Sequence, residues 1–181
     1  KTKGMMTCHP ACWGALMTKL SEAVTRHLQA QIKAGAEIVQ VFDSWVGVLS
    51  PSDYRTHVLP YSKMIFDVLR DSGVPVIHFG TETSSLLKLM REAGGDVIGV
   101  DWRVDLDEAW SRLGDVAVMG NLDPALLLAP LPVVEKRVDE ILGRVGGRPG
   151  HIFNLGHGVL PETPIEALIA VIKRVHSYRH R

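Results

Sequence analysis

The chain has little of several features that mark specialised classes of protein. Of its 181 residues only two are cysteines and 6% are aromatic, and 20 basic side chains balance 20 acidic ones. Cys8 and Cys12 are too few for a disulfide framework, so we expect a reducing, cytoplasmic compartment. The formal net charge of zero gives no reason to expect nucleic acid or an anionic membrane surface as the partner.

Long apolar runs are also missing, and no stretch approaches the roughly 20 residues that span a bilayer. The first residues, Lys-Thr-Lys followed by polar sequence, do not form a signal peptide. Because the chain opens with Lys1 rather than methionine, we expect it to be part of a longer polypeptide. Cys8, His9 and Cys12 lack the second ligand pair of a structural zinc site, so we predict no metal site.

Short apolar segments alternate with helical patterns along the whole chain. The predicted strands cover 38–42, 75–79, 96–100, 116–119 and 151–155, and the predicted helices cover 10–34, a segment from 50 onward, 84–93, 106–113, 123–143 and 164–178. Strands that alternate with helices in this way are typical of a parallel sheet covered by helices. The sequence therefore predicts the α/β class.

Polar residues and glycines follow every predicted strand. These clusters are Asp43-Ser44-Trp45, Gly80, Asp101-Trp102-Arg103, Gly120-Asn121-Leu122-Asp123 and Gly156-His157-Gly158. Chemistry at every strand end is typical of a (β/α) barrel, whereas a doubly wound sheet concentrates its ligand contacts at one switch point. No glycine-rich nucleotide-binding loop follows the first strand. Five strands cannot close a barrel of eight, so we predict a TIM (β/α) barrel fragment, about its last five βα units, forming one partial domain over 1–181.

His157 is the single most prominent candidate residue, because two glycines hold it in a tight turn directly after the fifth strand. That position is where parallel α/β proteins place functional side chains. Shortly afterwards, Thr163-Pro164-Ile165-Glu166 has the pattern of a capping box with proline at the first helical position. We therefore expect a strand, a functional turn and a capped helix start within 151–168.

Four segments, taken in order, carry a resemblance to a known family: VQVFDSWVGVLSP (39–51), VIGVDW (97–102), GNLDP (120–124) and HIFNLGHGVLPETP (151–164). Together they resemble the uroporphyrinogen decarboxylase family. The resemblance implies a (β/α) barrel that works as a cytoplasmic homodimer without a cofactor. It also implies removal of the four acetate carboxyls of uroporphyrinogen III, which gives coproporphyrinogen III in haem biosynthesis.

The resemblance assigns two substrate-binding residues, Ser44 and His157. A tetrapyrrole that carries eight carboxylates needs hydrogen-bond donors, and a hydroxyl and an imidazole meet that need without a metal. The family's arginine-rich segment and catalytic aspartate lie upstream of Lys1, so no catalytic residue is assigned in this chain. We expect this chain alone not to turn over, because the aspartate stabilises the cationic intermediate.

Several strand-end residues keep two interpretations. Asp43, Asp101 and Asn121 could contact substrate or could support the barrel rim by bonding to loop amides. Trp45 and Trp102 could stack on a pyrrole ring or pack against the protein, and Arg103 could meet a propionate or form a surface ion pair.

Two alternative functions remain open on the sequence. One is a relative of the zinc- and cobalamin-dependent methyltransferases; in these proteins a His-x-Cys motif would occupy the second strand, where this chain has His78 followed two residues later by Gly80. The missing thiolates disfavour that chemistry and make His78 a barrel-interior residue. The other alternative is a remnant that binds a tetrapyrrole or a partner without catalysis.

Overall fold

The computed structural model describes residues 1–179, and its centre is one sheet of five parallel strands. The strands are β1 (Val39–Asp43), β2 (Val76–Gly80), β3 (Val97–Gly99), β4 (Ala117–Leu122) and β5 (His151–Leu155). Their order in the sheet is β1-β2-β3-β4-β5, so each strand pairs with the next one in the chain. A doubly wound sheet would reverse its order at a switch point. The sequential order therefore confirms the predicted parallel barrel fragment.

Eight α-helices connect and flank these strands within residues 1–179. They are α1 (Thr2–Cys8), α2 (Pro10–Lys33), α3 (Pro51–His57), α4 (Leu59–Leu69), α5 (Leu87–Ala93), α6 (Leu106–Leu113), α7 (Leu131–Val145) and α8 (Ile165–Ser177). Two 3-10 turns, Val46–Val48 and Pro124–Leu128, follow β1 and β4. Over the described part of the chain, no helix has the length and apolarity needed to cross a membrane.

Two helix predictions were wrong at particular residues. The single helix predicted over 123–143 is a 3-10 turn followed by α7, because Ala129 precedes Pro130 and takes an extended conformation. The capping box at Thr163 does not form, because Pro164 itself is the extended residue before α8. The Thr163 hydroxyl is buried and has no hydrogen-bond partner among the described residues.

The two faces of the sheet differ in what covers them. On one face, helices bury two clusters of side chains, one around β1 and β2 and the other around β3 to β5. The opposite face, called the inner face here, carries a small cluster of Ile77, Phe79, Val97 and Met119. Side chains alternate along a strand, and Val39 and Val41 of β1 face the helices. Gln40 and Phe42 therefore point to the inner face. Phe42 on that face is 65% exposed.

His78 lies on the helix-facing side of β2, so its assignment to the barrel interior was wrong. Its neighbours Ile77 and Phe79 occupy the inner face, and strand alternation sends His78 the other way. The ring is fully buried and packs against Phe66 of α4, with 4.5 Å between the ring centroids.

Truncation of Ile98 tests the position of the cluster around β3 to β5. Ile98 is fully buried at the centre of β3, so Ile98→Ala should lower the free energy of unfolding by about 2–5 kcal/mol. Ile172→Ala is the matched control on the exposed side of α8 and should change it by only about 0.5 kcal/mol. Urea denaturation measures both, and equal midpoints for the two variants would contradict the described core.

Candidate substrate site at the carboxyl edge of the sheet

The parallel register brings the carboxyl ends of all five strands to one edge of the sheet. Asp43 at the end of β1 pairs with Gly80 at the end of β2, and Leu122 of β4 pairs with Leu155 of β5. The loops that follow these strands therefore share one side of the molecule. This edge carries every strand-end residue that the sequence singled out.

Ser44 and His157 line the same cavity, although they follow the two outermost strands of the sheet. The cavity has a volume of about 240 Å³ and lies on the inner face. Its walls also include Gln40, Phe42, Phe79, Met119 and Asn154. The structure thus brings together the two residues for which the sequence predicts substrate contact.

The turn around His157 leaves one ring nitrogen available for a ligand. The backbone N–H of Gly158 donates to Nδ1 of His157 at 2.7 Å, so Nδ1 is unprotonated and Nε2 carries the proton. A Cβ at Gly156 would come within 2.6 Å of the Trp102 backbone nitrogen, which explains the glycine at that position. His157 is exposed, and its Nε2–H is a hydrogen-bond donor at the cavity wall.

A second cavity of about 260 Å³ continues on the other side of His157. Its walls include Trp45, Trp102 and Arg103, and Trp45 is 84% exposed. The guanidinium carbon of Arg103 lies 4.0 Å above the Trp102 ring, a stacked cation–π contact. His157 therefore lies between the first cavity, which has apolar walls such as Phe79, and the second, which has charged residues such as Arg103.

Asp101 supports the rim and does not line either of these cavities. Its carboxylate is 1% exposed and accepts hydrogen bonds from the backbone N–H of Glu82 at 2.7 Å and of Arg103 at 3.2 Å. It also accepts from Nη1 of Arg103 at 2.7 Å. Glu82 has a φ of +59°, a conformation that non-glycine residues rarely adopt, and the bond from Asp101 helps to hold it.

Asn121 and Asp43 also make contacts within the protein. The buried amide of Asn121 donates to the carbonyl oxygens of Asp101 and Val104 at 3.0 and 2.7 Å. Oδ2 of Asp43 lies 3.1 Å from Nε2 of His78, on the helix-facing side. Neither residue lines the two cavities around His157. Their observed contacts are therefore those of residues that support the rim.

The sequence interpretation missed the walls of the cavity. Phe42, Phe79 and Met119 supply apolar surface, and the Asn154 amide lies 3.2 Å from the Met119 sulfur. Strand alternation was the signal that could have found them, because Gln40 and Phe42 alternate with the apolar Val39 and Val41. Identification of the inner face, however, needed the helices to be placed first.

Residues 1–179 contain no group of three or more histidine, cysteine or acidic side chains arranged to hold a metal ion. Cys8 and Cys12 are both exposed and carry free thiols.

Replacement of Asp101 tests its role at the rim. Two backbone amides and Arg103 donate hydrogen bonds to the Asp101 carboxylate, and Asp101→Asn removes its negative charge. The free energy of unfolding should therefore fall by about 1–3 kcal/mol. Glu82→Gln is the control, because it removes only the exposed partner of Arg103, at 3.3 Å. Thermal denaturation should show about 0.5 kcal/mol or less for that control. A stable Asp101→Asn protein would contradict the rim-support interpretation.

Comparison with known proteins gives one consistent family. The family model described as uroporphyrinogen decarboxylase (URO-D) matches residues 1–178. A uroporphyrinogen decarboxylase of Sorangium cellulosum is 59% identical over 97% of this chain, and one of Carboxydothermus hydrogenoformans is 55% identical over 97%. A third, of Thermus thermophilus, is 53% identical over 98%. These matches cover 51%, 50% and 52% of the relatives, so the chain spans about half the length of the curated relatives it matches. The chain belongs to the uroporphyrinogen decarboxylase family.

Proposed function

We propose that this chain forms part of the substrate site of a uroporphyrinogen decarboxylase, with Ser44 and His157 as substrate-binding residues. The observation that carries the proposal is that both residues line one cavity. The proposed reaction removes the four acetate carboxyls of uroporphyrinogen III and yields coproporphyrinogen III. The family membership and the printed names of the relatives support this assignment.

The side chains of the cavity fit a substrate of this kind. Nε2–H of His157 and the hydroxyl of Ser44 donate to carboxylate oxygens, and such charge-assisted bonds are the stronger class. Phe42, Phe79 and Met119 offer apolar surface to a pyrrole ring. The site can therefore hold both the acidic arms and the ring of one pyrrole unit.

Binding and orientation are the contributions that these residues make to the chemistry. Protonation of a pyrrole carbon turns the ring into an electron sink, the bond to the acetate carboxyl breaks, and carbon dioxide leaves. A proton then replaces the carboxyl on the methylene carbon, and the ring carbon releases the proton that it took up, which restores the pyrrole. Ser44 and His157 hold the substrate so that the reacting acetate keeps one orientation through these steps.

The proposed activity belongs to a longer polypeptide. A cavity of about 240 Å³ is smaller than the roughly 300–1,000 Å³ typical of sites for drug-sized ligands, and a tetrapyrrole is larger still. We therefore assign 1–181 to one partial domain that needs the remaining half of the family's length for turnover. The proposal includes a cytoplasmic, cofactor-free homodimer as the working form.

Substitution of the two donors tests the site in the full-length polypeptide. His157→Ala and Ser44→Ala should each lower kcat/KM for uroporphyrinogen III about 10- to 100-fold, because each removes a hydrogen bond to a charged group. The assay separates the porphyrin products by their number of carboxyl groups after oxidation.

His176→Ala and Ser52→Ala are the matched controls, because both residues are exposed and lie outside the cavity. Both should keep the kcat/KM of the unmodified protein. Normal turnover by His157→Ala and Ser44→Ala would show that the site assignment is wrong. Binding of substrate without release of carbon dioxide by the complete, unmodified polypeptide would instead favour a non-catalytic binding protein.

A further inference from the structure

His78 is a fully buried histidine whose two ring nitrogens both face hydrogen-bond acceptors. Nδ1 lies 3.2 Å from the carbonyl oxygen of Met90 and 3.3 Å from that of Gly94, at the end of α5. Carbonyl oxygens only accept, so Nδ1 must carry a proton. Nε2 lies 3.1 Å from Oδ2 of Asp43, and a hydrogen bond there needs a proton on one of these two atoms.

The neighbours of this pair make contacts that suit a carboxylate and an imidazolium. Ser62 donates its hydroxyl to the same Oδ2 of Asp43 at 3.4 Å, which favours a carboxylate acceptor. The Phe66 ring lies 4.5 Å from the His78 ring, at a tilt of 38°, and an aromatic face attracts a cation. Burial, and then the charge of Asp43, raise the pKa of the Tyr54 hydroxyl above its ordinary value, so the nearby phenol stays neutral.

The pair sits directly behind a residue of the cavity. Asp43 ends β1, and Ser44 is the next residue in the chain. The Thr81 hydroxyl, just after β2, donates to the Ser44 carbonyl oxygen. Two contacts therefore join the end of β1 to β2 and the residue after it: the Asp43 side chain contacts His78, and the Ser44 carbonyl oxygen accepts from Thr81.

We infer that His78 is a positioning residue: as an imidazolium paired with the Asp43 carboxylate, it fixes the end of β1 so that Ser44 faces the cavity. The His78 ring is fully buried and the Asp43 side chain is 22% exposed, and each makes a further hydrogen-bond contact, as a desolvated ion pair requires. Asp43 contacts His78 on the helix-facing side, whereas Ser44, the first turn residue after β1, lines the cavity on the inner face. An anchor on the helix-facing side therefore lies next to a residue of the cavity. The kinetic consequence rests on the proposed function, whereas the protonation of His78 does not.

The protonation of His78 can be measured on this chain without substrate. Nitrogen-15 NMR of the labelled protein near neutral pH should show both ring nitrogens of His78 in their protonated form. His151 is the internal control, because its Nε2 lies 2.8 Å from the Gly120 carbonyl oxygen and burial lowers the pKa of its ring. His151 should show one protonated nitrogen. An unprotonated ring nitrogen in His78 would overturn the inferred pair.

A double-substitution experiment in the full-length polypeptide tests the positioning of Ser44. His78→Gln places an uncharged amide donor in the space of Nε2, and kcat/KM for uroporphyrinogen III should fall about tenfold. In a Ser44→Ala background the same substitution should have less than about a twofold effect, because the hydroxyl that it positions is gone. A purely structural role would produce the same loss in both backgrounds, and that result would overturn the inference.

Two controls keep the outcomes separate. His151→Gln changes a half-buried histidine at the start of β5, away from the carboxyl edge of the sheet. It should leave kcat/KM within about twofold of the unmodified protein in both backgrounds. Asp43→Asn retains an oxygen that can accept from Nε2, so it should lose less activity than Asp43→Leu. If the unmodified polypeptide releases no carbon dioxide, the proposed function fails, while the NMR measurement still decides the pairing of His78.

Discussion

The parallel pairing of each strand with its successor is the constraint on which the rest of the structure depends. It places five strand ends along one edge, so residues that are far apart in the chain, such as Ser44 and His157, line one cavity. Within residues 1–179, helices cover one face and bury the apolar side chains there. The inner face is left to carry the walls of the cavity. A polar residue at this edge therefore serves either the site or the rim, depending on the face to which it points.

The same edge divides its polar groups between support and binding. Asp101 and Asn121 make their hydrogen bonds within the loops, and they line neither of the two cavities around His157. His157 has the opposite arrangement, because a backbone amide occupies one ring nitrogen and the other remains a donor. The buried, hydrogen-bonded groups of the rim hold the loops that carry the exposed donors. In its proposed role, His78 is a further supporting residue, which lies on the helix-facing side and contacts Asp43.

Much of this arrangement could be predicted, and the failures have identifiable causes. The strands were found to within a few residues, because apolar runs bounded by glycine, proline and polar residues are strong local signals. The helix over 123–143 failed at Ala129, where the following proline excludes the helical conformation. The capping box failed because the threonine lies one residue too early for a helix that begins at Ile165. The face of His78 was misjudged because the helices that define the two faces had not been placed.

The sequence by itself determined the alternation of strands and helices, the polar clusters at the strand ends and the family resemblance. All three can be read from residues that are close together in the chain, because local residue order sets both the secondary-structure preference of a segment and its motifs. The tertiary structure alone decided which of two adjacent residues, Asp43 or Ser44, meets the cavity and which meets the helices. The physical reason is that Asp43 still belongs to β1 and shares a face with Val39 and Val41, whereas Ser44 lies in the turn after the strand. Only the packing of helices against one face makes that face the interior.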